Sequence, residues 1–223
     1  MREFYVMYRV PQRLHLPAIV IGAALFYVSC RHPYYLIDAI FFSLCLLLIL
    51  RLILFDTPSG SMKEVGPLCV GFFYISGFLS FQWFLREITS GTEYLFLLYT
   101  SVWLADSAAY YAGTYFGKNK LYPAVSPNKT LEGAFGSILG GAAGALIIKL
   151  LFSIYSLTFI TTIVIGIILG IAAVTGDLIE SMFKRDAGVK DSSGLIPGHG
   201  GILDKIDSLL ISAPVLYLLL RSI

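Results

Sequence analysis

The chain has 223 residues, 57% of them hydrophobic and only 13% charged, and its mean hydropathy is +0.79. A water-soluble domain carries roughly 25% charged residues, so polar surface is too scarce to cover a soluble globule and the surplus apolar surface must face lipid. The formal charge of +2 gives no ground for a nucleic-acid partner, and the length suits a single membrane-embedded domain over residues 1–223.

Apolar runs near the span of a bilayer, about 20 residues, recur at Leu16–Cys30, Leu36–Phe55, Val65–Leu85, Tyr94–Gly113, Gly133–Phe152, Leu157–Gly176 and Ile202–Leu220. The expected fold is therefore an all-α, polytopic integral membrane helical bundle of about seven transmembrane helices, with polar cytoplasmic loops forming the site. The first run is short and follows Arg2, Arg9 and Arg13, like a signal-peptide core. Arg31-His32-Pro33 comes next instead of a small-residue cleavage site, so the run reads as a helix. Gly140, Gly141 and Gly144 give the fifth run a small-residue face suited to close helix packing. Cys30, Cys45 and Cys69 lack metal-ligand spacing and read as buried thiols, with neither disulfide nor zinc expected.

Basic residues set the orientation. With seven spans, one side collects Arg2, Arg9, Arg13, Arg51, Lys63, Lys118, Lys120, Lys129, Lys184, Arg185, Lys190 and Lys205, and the other only Arg31, Arg86, Lys149 and Arg221. The positive-inside rule then puts the N-terminus and the two unusual connectors, Lys118–Glu132 and Leu178–Gly201, in the cytoplasm.

Acids inside apolar runs are costly unless paired, hydrated or metal-bound. Asp38 alone reads as a solvated helix-end acid. Asp204 and Asp207 are spaced to share a helix face, as are Asp177 and Glu180, with Lys184 and Arg185 one to two turns on. Carboxylates clustered at helix ends beside Lys and Arg suit a divalent metal that holds phosphates. The stretch Ser181–Asp207 adds Lys190, four glycines and His199 within Pro197-Gly-His-Gly-Gly201, whose backbone N–H groups suit an anion. No G-x-x-x-x-G-K-[ST], G-x-S-x-G or H-E-x-x-H string is present, so a P-loop, a serine hydrolase and a zincin gain no support.

The string from Ser181 through Lys184-Arg185, Lys190-Asp191, Pro197, His199-Gly200-Gly201, Asp204-Lys205 and Asp207 resembles the signature of the phosphatidate cytidylyltransferases, or CDP-diacylglycerol synthases. A second stretch agrees: Trp103-Leu-Ala-Asp106, Ala109-Tyr110, Gly113, Gly117-Lys118, and Ser126-Pro-Asn-Lys-Thr130-Leu-Glu-Gly133. The resemblance covers roughly residues 50–220. It departs at Lys205, where the family usually has Arg and a bidentate fork is lost, and at Asn128, where a Lys is common. The N-terminus also looks short for the family, by one or two membrane helices.

The resemblance implies transfer of CMP from CTP to phosphatidate, giving CDP-diacylglycerol and pyrophosphate. The chemistry would be positioning plus charge neutralisation, with no covalent intermediate. It implies Mg²⁺ on Asp177 and Asp204, with Asp207 as a further ligand or as a holder of one. Lys184, Arg185 and Lys190 would grip phosphates, and Asp191 would meet a second cation or orient Lys190. His199 with Gly200 and Gly201 would contact phosphate or base, near Lys205. Ser126, Asn128, Lys129 and Thr130 would form a second nucleotide-facing turn anchored by Glu132. Asp106 and Tyr110, one turn apart, either line the cavity or make an interhelical hydrogen bond. The catalytic helices and loops are expected in 94–220, with variable helices in 1–50. The expected partners are CTP, phosphatidate and the bilayer of a bacterial cytoplasmic membrane, and a homo-oligomer is compatible with the sequence. The rival readings are another CTP-dependent lipid enzyme, such as a polyprenol kinase, and a cation- or proton-coupled transporter, which would scatter its acids at mid-depth.

Overall fold

The computed structural model describes residues 1–152, 154–198 and 200–222. Nine α-helices follow one another among the described residues: α1 (Arg2–Met7), α2 (Gln12–Arg31), α3 (Leu36–Leu54), α4 (Ser61–Gly71), α5 (Phe78–Glu87), α6 (Gly91–Phe116), α7 (Leu131–Phe152), α8 (Phe159–Asp186) and α9 (Leu203–Arg221). A 3₁₀ turn, Pro33–Tyr35, leads into α3, and a π-helical segment, Phe72–Gly77, joins α4 to α5.

Among the described residues five helices are long and apolar enough to cross a membrane: Gln12–Arg31, Pro33–Leu54, Ser61–Glu87, Leu131–Phe152 and Phe159–Asp186. The chain is a polytopic, all-α integral membrane protein. Six of the seven apolar runs fall, to within a residue or two, on one helix each, Val65–Leu85 passes through α4, the π-helical segment and α5, and α6 and α9 fall outside that set. Helix α9 carries Asp204, Lys205 and Asp207 in its first two turns, and α6 carries Glu93, Asp106 and many hydroxyl groups. The polar side chains that lower the apolarity of these two helices include those that line the cavity described below.

The chain divides into two compact units, Met1–Trp83 with Asp191–Leu203, and Phe84–Lys190 with Asp204–Ile223. In the first unit α1 is short but firmly seated, with Phe4 and Tyr5 almost wholly buried. The Tyr5 hydroxyl donates to the Leu68 carbonyl at 3.4 Å. A Cβ on Gly71 would lie 2.7 Å from the Tyr5 ring, so the missing side chain there makes the seat for α1.

The same unit buries a charge pair. Arg51, at the end of α3, forms an ion pair with Glu64 of α4, donates to the Thr57 carbonyl at 3.0 Å and lies 4.7 Å over the Phe55 ring. Removing one partner strands the other in a low-dielectric setting. Arg51→Ala is therefore expected to cost about 3–5 kcal/mol, while the joint replacement Arg51→Met with Glu64→Leu regains most of it. Denaturation in mixed micelles checks both values.

The second unit packs α6, α7 and α8 through glycine. Gly136, Gly140 and Gly144 recur every four residues on one face of α7, and a Cβ on them would come within 2.4–2.6 Å of Ala112, Leu104 and Ser101 of α6. An adjoining face meets α8, where the Ser137 hydroxyl donates to the Gly170 carbonyl at 3.0 Å. A Cβ on Gly141 would lie 2.4 Å from the Gly166 carbonyl oxygen. Backbone approach of this kind lets dispersion and weak polar contacts replace the hydrophobic drive that lipid removes. This is the packing that Gly140, Gly141 and Gly144 predict.

The connector between α6 and α7 is more ordered than its polar composition suggests. It forms an antiparallel ribbon of β1 (Lys120–Tyr122) and β2 (Ser126–Thr130), with Lys120 opposite Thr130 and Tyr122 opposite Ser126. The Glu132 carboxylate accepts from the Lys118 and Asn119 backbone N–H groups at 3.1 and 3.3 Å and from the Asn119 side-chain amide at 2.9 Å. Thr130 accepts from the Gly133 N–H at 3.1 Å. These bonds tie the ribbon to the first turn of α7.

Candidate active site

A cavity of about 520 Å³ opens in the second unit. Helix α6 supplies Asp106 and Tyr110, β2 supplies Asn128, Lys129 and Thr130, α8 supplies Asp177 and Lys184, and α9 supplies Asp204, Asp207 and Ser208. Helical spacing does the local work. Asp177, Glu180, Ser181 and Lys184 fall three or four residues apart on one face of α8, as Asp204, Asp207 and Ser208 do on α9. Gly176 brings the two faces together, since a Cβ there would meet the Asp207 carbonyl oxygen at 2.7 Å.

The polar contacts form a connected set. Lys129 pairs with Asp177 at 2.7 Å. Lys184 pairs with Glu180 of its own helix and with Asp204 at 2.7 Å. Ser208 donates to Asp106 at 3.3 Å, and Ser181 to Asp177 at 3.4 Å. Carboxylate oxygens of Asp177, Glu180 and Asp207 lie within 4.8 Å of one another. Glu180 is wholly buried and Asp207 is 7% exposed.

Charge balance decides what such a set suits. Asp106, Asp177, Glu180, Asp204 and Asp207 face Lys129 and Lys184, so five carboxylates meet two ammonium groups. Ionised acids this close repel by several kcal/mol per pair at an effective dielectric of about 20. A metal cation relieves that repulsion, and the oxygens of Asp177, Glu180 and Asp207 are close enough together to hold one. Polar groups with their positive partners at one cavity also suit an anionic phosphate chain.

Some residues singled out in the sequence lie elsewhere. Arg185 turns to the main chain, donating to the Val125 carbonyl at 3.2 Å and the Val189 carbonyl at 3.1 Å, and so links α8 to the ribbon turn. Ser126 begins β2 opposite Tyr122. Glu132 holds the Lys118–Asn119 backbone, while Lys190 and Lys205 are exposed. Asp191, Gly200 and Gly201 belong to the first unit, where Gly200 takes a left-handed conformation (φ +83°) and its carbonyl accepts from the Ile196 N–H at 2.8 Å. His199 lies outside the described residues.

The acid cluster also differs from the metal pair expected from sequence. Asp177 is in it, but Glu180 and Asp207 complete it, and Asp204 is engaged by Lys184. The signal for Glu180 was its three-residue spacing from Asp177, the same spacing that marks Asp204 and Asp207. No sequence signal pointed to Ser208 as the partner of Asp106.

Comparison with known proteins agrees with this geometry. The whole chain, residues 1–223, matches the cytidylyltransferase family. It is 41% identical over 142 residues to the phosphatidate cytidylyltransferase of Staphylococcus epidermidis, a match covering 64% of this chain and 54% of that protein. It is 39% identical over 166 residues to the Bacillus subtilis phosphatidate cytidylyltransferase, covering 72% and 60%. It is 50% identical over 128 residues to that of Haemophilus influenzae, covering 54% and 42%. The chain spans about half the length of the curated relatives it matches. A match over every residue, joined to a membrane bundle with an acid- and lysine-lined cavity, places the chain in the cytidylyltransferase family.

Proposed function

We propose that this chain is a phosphatidate cytidylyltransferase. An oxygen of the phosphatidate phosphate attacks the α-phosphorus of CTP, the bond from that phosphorus to the bridging oxygen of the β-phosphate breaks, and pyrophosphate leaves with the electron pair. The observation that carries this reading is the single cavity in which Asp106, Lys129, Asp177, Lys184, Asp204 and Asp207 converge. Both motif regions contribute to it, and its acids suit a divalent cation while its lysines suit phosphate.

In this reading Asp177, Glu180 and Asp207 would hold Mg²⁺, which would neutralise triphosphate charge when bound. Lys129 and Lys184 exchange their carboxylate partners for phosphate oxygens as substrate enters. Arg185, Lys190 and Lys205 draw the anionic substrates toward the site, and Ser126, Asn128 and Thr130 shape the nucleotide side. The chemistry belongs to 94–220, on the cytoplasmic side of a bacterial inner membrane, an orientation the 12-to-4 split of Lys and Arg supports. Gathering the acids in one cavity favours an enzyme over a transport path, which needs acids in succession through the bilayer.

The test is direct: folded protein in detergent, labelled CTP, phosphatidate and Mg²⁺, with a parallel arm containing polyprenol. Magnesium-dependent CDP-diacylglycerol is the expected product. Product from polyprenol alone, or none from folded protein, overturns the assignment.

A further inference from the structure

Glu3 lies on α1, and no motif marks it. Within the first unit, however, its carboxylate collects four donors. One oxygen accepts from the Ser193 hydroxyl at 2.7 Å and the Ile202 N–H at 3.0 Å. The other accepts from the Leu203 N–H at 2.8 Å and the Ser192 hydroxyl at 3.5 Å. Ile202 and Leu203 are where the chain enters α9, and helix-entry N–H groups have no partner within the helix. A carboxylate is the strongest acceptor for them and complements the positive helix end. Such caps ordinarily come from a residue just ahead of the helix. Here the cap comes from a carboxylate 200 residues away in sequence.

Three further observations agree. A Cβ on Gly201 would fall 2.6 Å from a Glu3 carboxylate oxygen and 2.3 Å from the Ser192 hydroxyl, so an added methyl there would push both side chains out of this arrangement. Phe4 and Tyr5, the next two residues, are buried and fix Glu3 in place. Partial burial pushes the Glu3 carboxyl up, but the N–H of Leu203, the Ser193 hydroxyl and the N–H of Ile202 outweigh it and hold it below the usual carboxylate range.

We propose that Glu3 is a positioning residue whose carboxylate clamps Ser192 and Ser193 to Ile202 and Leu203 and fixes the entry of α9, the helix that carries Asp204 and Asp207. The clamp is a structural claim, and only its effect on turnover rests on the cytidylyltransferase reading.

Amide hydrogen exchange and kinetics on the full chain in detergent test it. Glu3→Gln is expected to speed exchange at Ile202 and Leu203 at least about tenfold, leaving α2 and α8 unchanged. It should lower kcat about tenfold with the KM for CTP within about twofold, as loss of geometry rather than of binding predicts. Glu3→Asp, which keeps the charge, should regain part of both. Gly201→Ala should reproduce the defect and add little to Glu3→Gln in the double variant. If Glu3→Gln does not fold, Glu3→Asp and Gly201→Ala carry the test. Unchanged exchange at Ile202 and Leu203, acceleration spread evenly over all helices, or additive variants overturn the clamp. A kcat equal to that of the parent overturns its positioning role. Altered exchange in Glu3→Gln, with no CDP-diacylglycerol from the parent itself, upholds the clamp and rejects the proposed function.

Discussion

Asp207→Asn is expected to lower turnover at least about a thousandfold, about 4 kcal/mol of transition-state stabilisation, while raising the thermal midpoint of the metal-free protein. The two signs have one cause. Asp177, Glu180 and Asp207 hold oxygens within 4.8 Å of one another, and like charges at that spacing repel by several kcal/mol per pair in a partly buried setting. Asparagine removes one charge of the cluster and relieves part of that repulsion, by about 1–3 kcal/mol.

Mg²⁺ reverses the order. A ligand that binds the folded protein at a hundred times its dissociation constant adds about 2.7 kcal/mol, and the variant is expected to gain far less. The parent should therefore be less stable than Asp207→Asn in chelator and the more stable of the two in saturating Mg²⁺. Asp177→Asn should behave similarly, tempered by the loss of its partnership with Lys129. Asp204→Asn is the control that separates the two metal assignments. It leaves the cluster intact and Lys184 paired with Glu180, so Mg²⁺-dependent stabilisation should persist. Thermal unfolding in detergent with and without Mg²⁺, beside the product assay, reads all three. If Asp177→Asn and Asp204→Asn lose the metal response while Asp207→Asn keeps it, the ligands are Asp177 and Asp204, as the sequence suggested.

The second large effect concerns packing. Gly141→Ala is expected to destabilise the protein by about 2–4 kcal/mol, although alanine is the better helix former by about 1 kcal/mol. Its Cβ would sit 2.4 Å from the Gly166 carbonyl oxygen and 2.9 Å from the Gly170 nitrogen. Both are backbone atoms of α8 and neither can rotate aside, so α7 and α8 must separate. Gly77→Ala, at the last position of the π-helical segment that joins α4 to α5, gives the opposite sign. Nothing lies within 4 Å of its Cβ, so helix propensity alone acts and stability should rise by up to about 1 kcal/mol. Denaturation in mixed micelles compares the two. Equal effects would show that helix propensity, not interhelical contact, sets the cost of glycine here.

Much of this architecture is legible without coordinates, because its signals are local. An apolar run near 20 residues specifies a helix in lipid, where every backbone polar group must be satisfied within the segment. That logic located the helical runs, and the small-residue face of Gly140, Gly141 and Gly144 marked α7 as a close-packing helix. The spacing of Asp177 with Glu180, and of Asp204 with Asp207, likewise follows from 3.6 residues per turn. The motif strings carried the family resemblance, which the match over the whole chain bears out.

What the sequence alone left open is which faces meet. Spacing shows that Asp204 and Asp207 share a side of α9 but not how that helix is rotated against α8. The contact at Gly176 settles it, setting Asp207 beside Asp177 and Glu180 and leaving Asp204 to Lys184. The stretch Lys118–Glu132 reads as a polar connector, and only the cross-strand pairing and the Glu132 carboxylate make it a ribbon. Gly201 reads as room for a ligand, and tertiary structure fills that room with Glu3. These pairings depend on contacts between residues far apart in the chain, where periodicity carries no information. The sequence by itself thus determined the helices and the chemistry each one carries, and the tertiary structure decided which of those groups act on one another.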